Sequence, residues 1–232
     1  MSVFKFKEFS IIQEKSAMKV GTDGVLLGSW VSARNSKTIL DVGCGTGLIT
    51  LMLAQRNFSS NIIGIDIDEI SSKEAEQNIN NSKWRKRIAI QNCSLQKFNS
   101  NKKFDLIVSN PPFFSSNKSN QRRDIARRTN TLSFDSLIQY STNLLSETGI
   151  LSIIIPKESE FYFCEIAQDY DLYCNRACYV KGHATSKVKR VMIEFSFIKR
   201  EIKKEFLIIE KSRHQYTKQY INLCKDFYLN LS

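Results

Sequence analysis

Ile39-Leu40-Asp41-Val42-Gly43-Cys44-Gly45-Thr46-Gly47 closes an apolar run and opens a segment of helical period, and its reading decides the fold. A strand ending in G-x-G-x-G turns sharply, because glycine tolerates backbone angles that side chains forbid and lets a ligand approach the main chain. The following helix aims its free N–H groups at the same place. The spacing is not the G-x-G-x-x-G of dinucleotide sites, and no G-K-[ST] follows, so a pyrophosphate or triphosphate fits poorly. Asp66, 23 residues after Gly43, ends the next apolar run, where a carboxylate accepts both hydroxyls of a ribose. Together the two features point to an adenosine-like ligand.

Outward from this turn, residues 37–156 alternate short apolar runs with helix-period segments. The pattern predicts strands over 38–42, 62–66, 88–91, 104–109 and 150–155, and helices over 48–56, 69–81 and 134–145, the last capped by Ser133. That is a doubly wound, Rossmann-like α/β arrangement with a mostly parallel sheet. Beyond Pro156 a helix is expected over 158–168, then strands over 172–180 and 188–199 flanking Gly182-His183-Ala184, an antiparallel pair at the sheet edge. A short strand over 206–210 and a closing amphipathic helix over 217–228 complete the reading. One domain over 1–232 is expected, with 1–36 contributing to the site and 200–232 a C-terminal strand and helix extension.

Composition narrows the class. The 232 residues carry 34 Lys+Arg against 23 Asp+Glu, a formal net charge of +11, with 42% hydrophobic residues, enough for a full core. Disorder as the main state is excluded, and no stretch matches a membrane span or a leader peptide. Six cysteines, at 44, 93, 164, 174, 178 and 224, have no pairing rhythm, which suits a reducing compartment, and the cytoplasm is the expected location. The basic excess favours a polyanionic partner.

Ser109-Asn110-Pro111-Pro112-Phe113-Phe114 follows the predicted 104–109 strand. Two prolines remove two amide donors and stiffen the backbone, leaving the Asn110 side-chain oxygen and a neighbouring carbonyl as converging acceptors for a planar NH2 group. Phe113 is placed to stack on the ring that carries the group.

Asp41 through Gly47, with Asp66 and Asn110-Pro111-Pro112-Phe113, resembles the class I S-adenosylmethionine-dependent methyltransferases, and the tetrapeptide resembles their branch acting on exocyclic or amide nitrogens. Phe6-Lys7-Glu8-Phe9 through Gln13, then Met18 through Trp30 with Gly21-Thr22-Asp23-Gly24, and the tail Tyr216-Thr217 through Leu229 are similar to the bacterial tRNA1(Val) adenine-37 N6-methyltransferases. The resemblance implies a seven-stranded sheet with an antiparallel edge strand, S-adenosylmethionine as cofactor, and the anticodon stem-loop of a tRNA as partner. It implies that Gly43, Gly45 and Gly47 line the methionine part of the cofactor, with Gly21, Thr22 and Asp41 nearby, and that Asp66 holds the ribose. Asn110, Pro111, Pro112 and Phe113 take the target adenine. Gln91-Asn92-Cys93-Ser94-Leu95 departs from the family pattern in offering no carboxylate to the cofactor adenine, so Ser94 or a backbone carbonyl stands in.

The stretch 115–131 carries Lys118, Arg122, Arg123, Arg127 and Arg128 against Asp124 alone, and reads as a phosphate clamp beside the base pocket. Lys187, Lys189 and Arg190 form a second basic cluster. Cys174, Cys178 and His183, with Cys164 upstream, have no standard zinc spacing and read as buried thiols, so no metal is expected. A monomer is expected. The rival readings are amide methylation of a glutamine in a translation factor, guanine-N2 methylation of ribosomal RNA, and a basic RNA-binding protein with a vestigial cofactor site.

Overall fold

The computed structural model describes residues 2–112 and 132–231. A hairpin of β1 (Val3–Lys5) and β2 (Ser10–Ile12) leads into α1 (Thr22–Trp30). Then β3 (Thr38–Val42), α2 (Leu48–Arg56), β4 (Asn61–Asp66), α3 (Glu69–Asn80), β5 (Ile88–Asn92) and β6 (Phe104–Ser109) alternate. After the gap come α4 (Phe134–Leu144), β7 (Leu145–Pro156), α5 (Glu160–Asp169), β8 (Tyr173–His183), β9 (Arg190–Ser196), β10 (Lys203–Ser212), β11 (Gln215–Tyr216) and α6 (Lys218–Cys224).

Among the described residues one sheet has nine strands, in the order β11-β10-β8-β9-β7-β6-β3-β4-β5. Parallel strands covered on both faces need apolar residues on both, and β3 and β6 supply them. Ile39, Leu106 and Val108 pack on one side with α1, α2 and α6, whereas Leu40, Val42 and Ile107 pack on the other with α4 and α5. Seven of the nine strands, β5 to β8, correspond to the expected sheet, and β9 is antiparallel to both its neighbours. The expected edge is corrected. After β9 the chain crosses back and β10 pairs with β8 in parallel, so β10 and β11 lie beyond the antiparallel pair.

Two polar anchors seat the N-terminal segment. The buried Glu74 of α3 accepts from three consecutive backbone amides, those of Glu14, Lys15 and Ser16, at 2.9, 2.7 and 3.1 Å. Asn78, one turn further on, accepts from the Ile12 amide at 2.8 Å and donates to the Ile12 carbonyl at 3.0 Å and the Thr46 carbonyl at 2.9 Å, joining β2 to the glycine turn. On the opposite flank, Trp30 of α1 donates through Nε1 to Glu205 of β10 at 2.8 Å, and the Arg176 guanidinium lies 4.0 Å from the Trp30 ring centroid. No helix among the described residues is long and apolar enough to cross a membrane.

Because Glu74 is buried, removing its carboxylate strips three amides of their acceptor, and a charge-assisted interaction of this kind contributes about 1.5–3 kcal/mol. Glu74→Ala is expected to lower the melting temperature and speed amide exchange over residues 2–20. Unaltered exchange there would show that apolar contacts alone hold the segment.

Candidate active site

Register builds the site. Val42 of β3 pairs with Ile65 of β4 and with Ser109 of β6, so Gly43, Asp66 and Asn110 leave the sheet side by side at the carboxyl ends of three parallel strands. The chain adds β4 and β5 on one side of β3 and β6 and β7 on the other, and ligands of open α/β sheets bind at such a reversal. Asp66 and Asn110 flank Gly43, two strand spacings or about 10 Å apart.

The turn is left-handed three times, with φ of +71° at Gly43, +54° at Gly45 and +83° at Gly47, conformations that side chains rarely adopt. A Cβ at Gly43 or Gly45 would meet no protein atom within 4 Å, whereas at Gly47 it would touch Ala75 at 3.5 Å. Open space therefore lies against the first two glycines, and helix packing against the third. The amides of Gly43 and Cys44 donate to the Ile65 carbonyl at 2.9 and 3.0 Å, and that of Gly45 donates to Asp66 Oδ2 at 2.7 Å. Asp66 Oδ1 accepts from the Asp68 amide at 2.9 Å. A carboxylate has about four lone-pair sites, so Asp66 pins the turn and keeps capacity for two hydroxyl donors. Burial raises its carboxyl above the ordinary range, offset in part by the amides of Asp68 and Gly45.

Asp41 is fully buried and acts on the turn from beneath: its Oδ2 accepts from Thr50 Oγ1 of α2 at 2.6 Å. Burial pushes its carboxyl up to about 7, against the Thr50 hydrogen bonds that lower it. Among the described residues its Oδ1 has no hydrogen-bond partner, and neither has the buried Oδ1 of Asn110. Pro111 is buried and Pro112 exposed. Gly21 and Thr22 are exposed where α1 begins, and Asp23 beside them accepts from Arg190 Nε at 2.7 Å. Since Arg190 pairs with Pro156 at the end of β7, Lys187, Lys189 and Arg190 lie at the same end of the sheet as Asn110, with both lysines exposed. Ser94 is half-buried, its carbonyl accepting from the Lys97 and Phe98 amides at 3.0 Å each. Phe113, Lys118, Arg122, Arg123, Arg127 and Arg128 lie outside the described residues.

Cys174 packs with the α4/α5 side and Cys178 with the α1/α2 side, because a register shift separates them, so they do not converge. Two contributors escape the sequence reading. Asn92, paired with Asp66, donates from Nδ2 to the Asp66 and Ile67 carbonyls at 3.0 and 3.1 Å, and Ile67, 63% exposed, presents an apolar face beside the carboxylate. The usable signal was a polar amide at a strand end and an isoleucine amid charges.

This constellation is that of a class I methyltransferase, and solved structures share the fold. The crystal structure of a predicted O-methyltransferase from Agrobacterium tumefaciens superposes with a TM-score of 0.70 at 15% identity, covering 88% of this chain and 96% of that one. Pyrococcus horikoshii TYW2 in complex with MeSAdo does so at 0.60 and 15% identity, covering 84% and 70%. The methyltransferase small domain family matches residues 15–169. Relatives named tRNA1(Val) (adenine(37)-N6)-methyltransferase from Flavobacterium psychrophilum, Trichodesmium erythraeum and Bacteroides fragilis are 46%, 44% and 42% identical, spanning 99%, 97% and 98% of this chain and 100%, 97% and 98% of theirs. The chain belongs to the methyltransferase small domain family and, within it, to the family of these tRNA methyltransferases. It is an S-adenosylmethionine-dependent enzyme, and the open glycine cradle fits that cofactor.

Gly45→Ala is expected to fold, since its Cβ meets nothing, at a cost of about 1–2 kcal/mol for the left-handed backbone. Calorimetric affinity for S-adenosylmethionine should nevertheless fall at least about tenfold, an effect of about 1.4 kcal/mol. Undiminished affinity would remove the turn from the cofactor site. Asp41 yields a pH test. With its folded pKa near 7, above the ordinary 3.8, the fold favours the neutral acid, so the penalty is absent well below 3.8, grows as pH rises, and is complete above 7. Asp41→Asn should therefore raise the melting temperature more at pH 8 than at pH 5, and equal shifts at both would refute a buried neutral carboxyl.

Proposed function

We propose that this enzyme methylates N6 of an adenine in tRNA, adenine-37 in the anticodon loop of tRNA1(Val). The observation that carries the reading is the buried Oδ1 of Asn110, without a partner among the described residues, beside the glycine turn at the end of β6. An exocyclic amine is the donor such an acceptor takes. The names of the full-length relatives support tRNA as the substrate. Asn110, with a neighbouring carbonyl, draws on the amine hydrogens and concentrates electron density on nitrogen, while Pro111 and Pro112 hold the turn rigid. Phe113 keeps the stacking role read from the sequence.

Gly43, Gly45 and Gly47 seat the methionine part of the cofactor above Asp41, with Gly21 and Thr22 closing one side. Asp66 holds the ribose and Ser94 borders the adenine. The bound cofactor supplies an electrophilic sulfonium methyl, so no strong base is required, and orientation with extrusion of the base from its stack accounts for the rate. Lys118, Arg122, Arg123, Arg127 and Arg128 contact phosphates, as do Lys187 and Lys189, whereas Arg190 shares its charge with Asp23. We assign 1–36 to the site and 200–232 to an extension of one domain, acting as a monomer in the cytoplasm without a metal. Six free thiols support that compartment.

The test is methyl transfer to total tRNA lacking the modification, followed by nucleoside mass spectrometry. N6-methyladenosine at a single anticodon-loop position is expected, and methylated glutamine or N2-methylguanosine would select a rival. Asn110→Ala should abolish transfer with near wild-type cofactor affinity. Retained activity in that variant would sink the mechanism.

A further inference from the structure

Beyond the pocket, the face of the sheet shared by β8 and β10 presents aromatic and cationic groups that the reaction does not use. Phe206 of β10 is 64% exposed and stacks on Tyr179 of β8, with ring centroids 5.3 Å apart and planes at 30°. The ladder puts Lys204 opposite Ala177 and Lys181 opposite Ile208, two residues to either side of the Phe206–Tyr179 row and so on the same face. The Lys157 ammonium lies 5.8 Å from the Tyr179 ring centroid. Tyr179 leans towards α5, its hydroxyl donating to Glu160 at 2.8 Å, but the helix does not reach over Phe206.

The carboxylates at this surface are engaged. Glu160 takes Lys157 and the Tyr179 hydroxyl, and Glu210 faces His183 at 3.5 Å. Lys181 and Lys204 form no ion pair among the described residues. What sets Phe206 apart from other exposed rings is the Tyr179 stack and the flanking lysines, and a stacked aromatic pair bordered by cations suits an occupant that is both aromatic and anionic. A nucleic acid is both, stacking bases on rings while its phosphates meet lysines.

Register also places the surface. Phe206 pairs with Tyr179, Tyr179 with Val191 and Val191 with Ile155, two residues beyond Ile153, which pairs with Ser109. Phe206 is thus level with the Asn-Pro-Pro turn along the strands, but four strand spacings, about 19 Å, across the sheet. We propose that Phe206 and Tyr179, with Lys157, Lys181 and Lys204, form a second RNA-binding platform that stacks an unpaired base of the substrate and contacts the adjacent phosphates. This rests on the tRNA reading above and adds to it a site remote from the target adenine.

The test uses the full chain with unmodified tRNA, measuring binding by fluorescence anisotropy across a salt series and methyl transfer in parallel. Phe206→Ala should weaken tRNA binding about tenfold and raise the tRNA KM, with kcat at saturating tRNA unchanged, whereas Phe206→Tyr should bind like wild type. The double variant Lys181→Gln/Lys204→Gln should lower the slope of log K against log salt by about 1.4, and it stands alone if Phe206→Ala does not fold. Calorimetric affinity for S-adenosylmethionine should be unchanged in all three. Wild-type tRNA affinity and salt slope in these variants overturn the platform. So does a loss of self-association, seen by ultracentrifugation, without loss of tRNA affinity. A wild-type chain that methylates no tRNA overturns the substrate reading instead, and the binding arm still decides the platform.

Discussion

The register Ile65–Val42–Ser109 across three adjacent parallel strands is the constraint on which the site depends. Parallel ladders have evenly spaced bonds, so a slip of one residue would turn every side chain to the opposite face and move the strand ends apart. The apolar residues of β3 forbid the slip, because Ile39 belongs to one core layer and Leu40 and Val42 to the other. Core packing therefore sets the spacing of Gly43, Asp66 and Asn110, and no loop has to find it.

Fixing the strand ends leaves the turn itself to be held, and the sequence does this with polar groups. The Gly43 and Cys44 amides share the Ile65 carbonyl, Asp66 takes the Gly45 amide, and Asn78 takes the Thr46 carbonyl from the opposite side. Three left-handed glycines would otherwise sample a wide range of conformations, so each such bond reduces the entropy that ligand binding must remove. Asp41 contributes from below at a cost, a buried carboxyl with one oxygen unpartnered. Buried polar atoms without partners are uncommon in folded proteins, and among the described residues two of them border this one turn, which marks it as built for something besides stability.

Legibility followed the strength of the local pattern. The β3, β6 and α2 bounds match the sequence reading, since each is a largely apolar run without internal glycine, ended by glycine, asparagine or charge. α1 did not declare itself because its buried residues run from Gly24 to Trp30 without an exposed stripe, and Gly28 reads as a breaker. Its purpose is contact: a Cβ there would lie 2.7 Å from Met52 Sδ. The β1–β2 hairpin has three residues per strand, too few for a period-2 signal, and is held by α3 through Asn78. α4 runs directly into β7 at Leu145, whereas a strand was expected only from residue 150. The closing helix stops at Cys224 instead of 228, and Tyr228 bridges to Phe6. That the glycine turn, Asp66 and Asn110 stand at strand ends was legible because each sits where a short apolar run stops. Glu74, Asn78 and Asn92 were not, because a polar side chain on a helix or strand end looks solvated until its distant partner is known.

The parallel pairing of β10 with β8 is the least local feature, and it decides the shape of the surface around the site. Antiparallel pairing with β8 would have sent the end of β10 to the opposite end of the sheet. Parallel pairing instead aligns Glu210 with His183, so the turns after β8 and β10 emerge at the end where β3, β4 and β6 finish. The C-terminal strands therefore widen the end of the sheet that carries the glycine turn, adding Lys211 and Arg213 to the Lys187 and Lys189 of the β8–β9 turn. For a polyanion larger than the pocket, range matters: at physiological salt, charges act over about 8 Å, so cations must be spread along the path of the chain they bind. A wide sheet with its basic turns at one end meets that requirement with the elements that build the core.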